Sequence, residues 1–470
     1  FADLVMRGEG ERTYKNLLDK WTSHGDISAV SGITYRKYGK IYENPNGEPL
    51  RLDDIPFIYK DSDEFKNKII YYETQRGCPY NCQYCLSSVE KGVRFLSEAR
   101  VTSDMKFFID NRVKQVKFVD RTFNCNHDHA MMIWKYIMEH DNGVTNFHME
   151  ITADILRDEA IELLKKARKG LFQFEIGVQS TNRRTIEAVK RNTAFGDITD
   201  VVKKIAEGGN IHQHLDLIAG LPYEDYESFG RSFDDVYSLE PEQLQLGFLK
   251  LLKGSGLRRD AEKYGIVCTD EAPYEVLYTN ELSFGDILKL KGIEEMVETF
   301  YNSGKAKTAV RFAVEKCGRP FVFFEKLSKW WAENGFDEIS HSKMDLYGRL
   351  FDFFMECPEF KEYIGQIKEL LRYDIYLGDN MKNIPSSLVR EMSEEERTYG
   401  REFYENEENV RKYLPELSEH KPKQLLRMCR IEFFDMDPET EEKRKTAVLF
   451  NYYGRDALLN KADTAVVWKE

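Results

Sequence analysis

The sequence predicts an α/β fold organised on a partial (β/α)6 barrel of the TIM type, and three observations carry that prediction. Between residues 68 and 278, six short apolar strands alternate with amphipathic helices, and parallel neighbours need such crossovers. Each apolar run stops at polar residues, which is where parallel barrels bind ligands. Beyond residue 279 the alternation ends and the pattern becomes mainly helical. Six units are fewer than the eight of a closed barrel, so the sheet should stay open.

In chain order, residues 1–25 read as a short strand, a Gly8/Gly10 turn and an amphipathic helix carrying Tyr14, Leu17, Leu18 and Trp21. This resembles the C-terminal remnant of a Rossmann-like unit. Residues 26–67 read as a hairpin turning at Tyr38-Gly39-Lys40, then a linker holding Pro45, Pro49 and Pro56. The predicted barrel strands are Ile69–Thr74, Val116–Val119, Phe147–Ile151, Leu171–Val178, His212–Ile218 and Leu244–Leu249. The intervening helices are Ser97–Asn111, His127–His140, Arg157–Lys169, Asn182–Lys190 and Tyr226–Leu239. Residues 279–470 form a helical accessory domain in this reading. Ser283 and Asp286 cap its first helix, Pro320–Asn334, Lys343–Glu356 and Met392–Asn409 follow, and one late strand spans Thr446–Tyr453.

A chain of 470 residues exceeds what one hydrophobic core serves, so two or three domains are expected. Apolar residues make up 41% and charged residues 32%, and no apolar run is long enough to span a bilayer. A net charge of -13 argues against nucleic acid as a partner. Cys125, Cys268, Cys317, Cys357 and Cys429 are scattered singly, which suits buried thiols in a reducing cytoplasm rather than a disulfide framework. No signal-peptide pattern opens the chain, although it begins at Phe1 rather than Met.

The remaining three cysteines, Cys78, Cys82 and Cys85, lie in ETQRGCPYNCQYCLSS, directly after the first barrel strand. Thiolates this close can bind one soft metal centre together: zinc, copper(I) or an iron-sulfur cluster. A zinc site would close with a fourth ligand, for which Cys125, His127 or His129 in NCNHDH are candidates, and would make this a zinc-stabilised scaffold. A 4Fe-4S cluster held by three cysteines instead leaves one iron for a ligand that is not a side chain. The strand ends supply polar residues that could face such a ligand: Asp120, Arg121 and Thr122; Glu150 and Thr152; Glu175, Gln179 and Ser180; Asp216; and Lys250.

Cys78-x-x-x-Cys82-x-Tyr84-Cys85 resembles the motif of the radical S-adenosylmethionine (SAM) superfamily, including the aromatic residue before the last cysteine. The resemblance implies a 4Fe-4S cluster on Cys78, Cys82 and Cys85, with SAM chelating the open iron and cleaved reductively to a 5'-deoxyadenosyl radical. It implies that Tyr84 packs over the cluster and that SAM is contacted by Glu150 in NFHMEI, Gln179 in IGVQS, Arg191 in VKRN and Asp216 in LDLIAGLP. Asp120 and Arg121 stand where the family more often has a Gly-Gly-Glu-type turn. RGEGE at Arg7–Glu11 and the Ile33–Pro56 linker resemble the junction of cobalamin-binding members, and the late segments PYEVL and KCGRPFVFFEKL resemble an associated domain of unknown function. Cobalamin is thereby a further implied cofactor, with methyl transfer the implied outcome and cyclisation or rearrangement without cobalamin the alternative. The chain has no Asp-x-His-x-x-Gly sequence for a lower cobalamin ligand. A reductant such as flavodoxin or ferredoxin and a small-molecule or peptide substrate complete the expectation.

Overall fold

The computed structural model describes residues 2–61, 65, 68–88, 92–456 and 461–469. The chain divides into two compact units, Phe1–Pro79 with Glu90–Phe147, and Tyr80–Val89 with His148–Glu470.

The first unit opens with β1 (Leu4–Met6), α1 (Gly10–Thr22), β2 (Ile33–Lys37) and β3 (Lys40–Glu43). β2 and β3 form the predicted hairpin, Lys37 opposite Lys40, with Tyr38 and Gly39 both at positive φ as a tight two-residue turn requires. β1 adds to β2 antiparallel, Leu4 opposite Tyr35. The segment read as a Rossmann-like remnant and the hairpin therefore share one sheet, over a small core of Leu17, Val30, Ile33 and Tyr35. Next come β4 (Ile69–Tyr72), β5 (Gln75–Arg76), β6 (Arg94–Phe95), α2 (Glu98–Asp110), β7 (Gln115–Phe118) and α3 (His127–Glu139). β4 and β7 run parallel, and α2, the crossover between them, buries Val101, Met105 and Phe108. Ser97 and Asn126 start α2 and α3 as N-caps, as their residue types favour.

β8 (Asn146–Ile151) begins in this unit and ends in the second, where α4 (Asp158–Leu164), β9 (Phe172–Gln179), α5 (Arg183–Ala188), α6 (Phe195–Ala206), β10 (His212–Ala219), α7 (Tyr226–Tyr237) and β11 (Gln243–Phe248) continue the alternation. The sheet order is β11-β10-β9-β8-β7-β4, the sequential order of a partial (β/α)6 barrel. Along β9, Phe172, Phe174, Ile176 and Val178 are buried while Gln173, Glu175, Gly177 and Gln179 take the other face. One barrel helix, α6, was not among those expected; its FGDITDVVKKIA sequence is strongly two-faced, burying Ile198, Val201, Val202 and Ile205.

After α8 (Gly256–Arg259) and the short pair β12 (Val267–Cys268) and β13 (Val276–Tyr278), helices α9 (Phe284–Met296), α10 (Lys307–Cys317), α11 (Pro320–Glu333), α12 (Lys343–Glu356) and α13 (Ile364–Gly378) pack through aromatic side chains, Phe323 touching Phe324, Phe353, Phe354 and Phe360. The Ser283/Asp286 capping box forms as predicted. The long helix expected over Met392–Asn409 is two, α14 (Glu394–Glu405) and α15 (Glu407–Tyr413), because Asn406 caps the second through the Glu408 and Asn409 N–H groups. After α16 (Pro422–Met428), three strands stand where one was expected: β14 (Cys429–Phe434), β15 (Thr446–Asn451) and β16 (Asp463–Lys469), antiparallel in that order. CRIEFF hides its strand character behind Arg430 and Glu432. Glu432 is buried against Arg372 of α13 at 3.3 Å, and Arg372 also pairs with Glu369 at 2.9 Å, so the charges compensate one another inside the domain.

Candidate functional site

In the first unit, the chain enters the cysteine loop through a tightly held ribbon. β5 pairs antiparallel with β6. Gly77 has φ +101°, and a Cβ there would collide with the Gly92 carbonyl oxygen, so only glycine fits before Cys78. The acids of the RGEGE segment clamp the ribbon: Glu9 pairs with Arg94 and accepts from the Leu50 N–H (2.8 Å), and Glu11 accepts from Arg76 (2.8 Å). A cavity of about 660 Å³ lies along this segment, bordered by Arg7, Glu9, Arg12, Gly77 and Arg94.

Asp120, expected to face SAM, is fully buried. It accepts from the Thr74 N–H (2.8 Å), the Gln75 N–H (3.0 Å) and the Thr74 hydroxyl, tying the end of β7 to the start of the ribbon. Burial pushes its carboxyl up to about 7, against those hydrogen bonds. Arg121 is exposed, while Thr122 takes the Gln75 amide on its carbonyl (2.6 Å) and brings its hydroxyl within 3.5 Å of Cys78 Sγ. The NCNHDH segment does not gather into a metal site among the described residues. Cys125 donates to Gln75 Oε1 (3.4 Å), and burial raises its thiol to about 11. His129 sits 3.3 Å from the Thr74 hydroxyl against the Phe95 ring, and burial lowers it to about 4.

In the second unit, the rest of the loop is pinned by main-chain bonds: Gln83 N–H to Val189 O (2.9 Å), Leu257 N–H to Gln83 O (2.8 Å) and Cys85 N–H to Cys82 O (3.1 Å). Cys82 is buried, which raises its thiol pKa. The Arg191 guanidinium opposes that rise, and it and the Tyr84 hydroxyl both lie within hydrogen-bonding reach of the sulfur. Arg191 also donates to Tyr84 Oη at 3.3 Å and to the Gly177 carbonyl. Gln179 ends β9 with φ +72°, a conformation rare outside glycine. Its amide folds back over Gly177, where a Cβ would collide with it. Gln179, Arg191, Tyr84 and Cys82 thus converge.

Polar residues at alternate positions line the neighbouring strands. Glu150 and Asp216 are half-buried, and β10 pairs with β9 so that Asp216 lies beside Gly177 and His214 beside Glu175. His148 Nε2 is 3.0 Å from Glu175 Oε2, and His214 Nε2 is 3.2 Å from Asp216 Oδ1. The histidines escaped the sequence reading. Their signal was strand parity: His148 and His214 stand two residues before Glu150 and Asp216, hence on the same face. Lys250, also considered, is exposed in a bridge to Glu275.

These residues fit the implied groups in part. None of the cysteines is in a disulfide, and a cation stands beside buried Cys82, favouring the thiolate that a cluster requires. Gln179 Oε1 and Arg191 Nε are buried with no hydrogen-bond partner among the described residues, which suits a polar ligand such as SAM. The described residues offer no comparable set for cobalamin.

Residues 72–236 match the radical SAM superfamily, and residues 262–450 match a protein family of unknown function, DUF4080. An uncharacterized methyltransferase of Pyrococcus horikoshii is 29% identical over 48% of this chain and 50% of its own length. The cobalamin-dependent radical SAM methyltransferase TokK of Streptomyces tokunonensis is 23% identical over 57% of this chain and 42% of its own. The chain therefore spans about half or less of the length of these curated relatives. The structure of the cobalamin-dependent S-adenosylmethionine radical enzyme OxsB with aqua-cobalamin bound covers 88% of this chain and 68% of its own with a TM-score of 0.54 at 13% identity, a likeness of fold. No helix among the described residues is long and apolar enough to cross a membrane. The similarity to the radical SAM superfamily thus holds over residues 72–236, and the similarity to DUF4080 over residues 262–450.

Proposed function

We propose that this chain cleaves SAM reductively and uses the resulting 5'-deoxyadenosyl radical to abstract a hydrogen atom from a small-molecule or peptide substrate. The observation that carries this reading is the convergence of buried Cys82 and Tyr84 with Arg191 and Gln179, the last two holding buried polar atoms without partners among the described residues. Cys78, Cys82 and Cys85 would hold a 4Fe-4S cluster, which when bound supplies the electron for SAM cleavage. Gln179, Arg191, Glu150 and Asp216 would orient SAM, and the Tyr84 ring would exclude water from the cluster side. Asp120 acts one step back, by fixing the ribbon that leads into the loop. The methyltransferase relatives favour methyl transfer with cobalamin as the outcome, a reading that rests on them because the chain has no Asp-x-His-x-x-Gly sequence. A flavodoxin- or ferredoxin-type protein would supply the electron, and the setting would be the cytoplasm.

The test is anaerobic purification with iron and sulfide analysis, followed by reduction in the presence of SAM. We expect brown protein with about four iron and four sulfide per chain, as a cubane requires, and formation of 5'-deoxyadenosine. Cys78→Ala, Cys82→Ala and Cys85→Ala should bleach the protein and bring 5'-deoxyadenosine to background. Colourless wild-type protein holding zinc on the cysteines would contradict the proposal.

A further inference from the structure

A second cluster of ligating side chains sits on β8, β9 and β10, away from the cysteine loop in sequence. His148, Glu175 and His214 each offer one ligand atom, and these atoms all lie within 4.8 Å of one another. The arrangement follows from register and parity. His214 lies directly beside Glu175 across the parallel β9–β10 pair, and His148 reaches Glu175 from β8 at 3.0 Å. Two residue pairs further along β9 and β10, and so next on the same face, come Gly177 and Asp216, which sets the histidine layer nearer the strand starts than Asp216 and Gln179. Both imidazoles are enclosed, with side-chain exposures of 9% for His148 and 7% for His214.

The His148–Glu175 approach has hydrogen-bond distance without hydrogen-bond geometry, and no other partner takes the buried Nε2 of His148. Two lone pairs directed at a common third atom produce that combination. Two nitrogens and one carboxylate oxygen form a borderline donor set suited to zinc, iron(II) or cobalt(II) rather than to calcium or magnesium. Asp216, 3.2 Å from His214 Nε2, supplies the outer carboxylate that metal-bound histidines commonly use. We infer that His148, Glu175 and His214 form a site for a divalent transition metal, separate from the iron-sulfur cluster. Three protein ligands leave a coordination position for water or for a nitrogen or oxygen of the substrate.

The probe is zinc. Full-length, cluster-loaded protein is incubated with zinc and desalted anaerobically; metal content and the zinc X-ray absorption edge are then measured. We expect about one zinc per chain in a nitrogen/oxygen shell at about 2.0–2.1 Å. His148→Gln, His214→Gln and Glu175→Gln should each lower zinc affinity more than about 100-fold, beyond what loss of an outer partner does, while the cluster absorbance stays at the wild-type level and so reports an intact fold. The inference is overturned if the wild type retains no zinc, if sulfur appears in the zinc shell, or if the glutamine variants retain zinc like the wild type. This readout is independent of 5'-deoxyadenosine, so the radical reading and the metal site can fail separately.

Discussion

The polar groups around the two ends of the cysteine loop differ in one respect that separates scaffold from site. On the Cys78 side, the buried carboxylate of Asp120 is satisfied by Thr74 and Gln75, and the Gln75 amide by Thr122. On the Cys82 side, Gln179 and Arg191 keep buried polar atoms without partners among the described residues, and Gln179 holds a left-handed backbone to do so. A saturated network stabilises a fold, whereas buried polar atoms left open cost stability and persist where a ligand completes them. The difference teaches that Asp120, although it ends a barrel strand, is a positioning residue for the loop, while Gln179 and Arg191 are suited to contact what binds there.

The comparison is broken most forcefully at the saturated network. Asp120→Ala strips the acceptor from two buried N–H groups and should lower stability by about 2–3 kcal/mol, read by denaturant unfolding with loading of the cluster measured in parallel. An unchanged midpoint would mean that the network is not structural.

A more gradual effect, spread over the acid range, sharpens the same side through pH. His129 is neutral in the native state, with its pKa depressed to about 4 by burial. Below about 6.5 the unfolded chain gains a proton that the native state refuses, so stability is lost as pH falls from about 6.5 to about 4, at up to about 1.4 kcal/mol per pH unit. Asp120 has the opposite sign. Its pKa is raised to about 7, so its contribution is present at low pH and is lost as pH rises from about 4 to about 7. His129→Gln removes one of the two opposed slopes and should make the protein gain stability on acidification relative to wild type, measured by unfolding between pH 4 and 7. Parallel pH profiles would show that His129 is not buried as a neutral group.

Much of this was legible in the sequence because period and punctuation agree there. Every barrel strand carries an apolar run, the CxxxCxxC spacing follows directly on the ribbon after the first strand, and Gln179 ends β9, while Asp216 shows as a lone acid inside the apolar run of β10. What stayed hidden depended on pairing across distance. Nothing local to Asp120 says that its oxygens face the main chain of residues 74 and 75. The strand CRIEFF reads as amphipathic until Arg372, 60 residues earlier, neutralises Glu432. His148 and His214 become a cluster only when register sets them beside Glu175.

The contrast between the two ends of the loop is tested most directly by SAM affinity of the cluster-loaded protein, measured by anaerobic equilibrium binding. Gln179→Ala and Arg191→Ala should each weaken binding roughly 10- to 100-fold, the worth of a hydrogen bond to a charged ligand; Gln179→Ala should change folding stability by less than about 1 kcal/mol, and Arg191→Ala, which also removes a donor from the Gly177 carbonyl, by about 1–3 kcal/mol. Asp120→Asn should do the reverse, losing stability while binding SAM within about threefold of wild type wherever it stays folded. If SAM binding proves indifferent to Gln179 and Arg191 but collapses in folded Asp120→Asn, the assignment of scaffold and site is wrong.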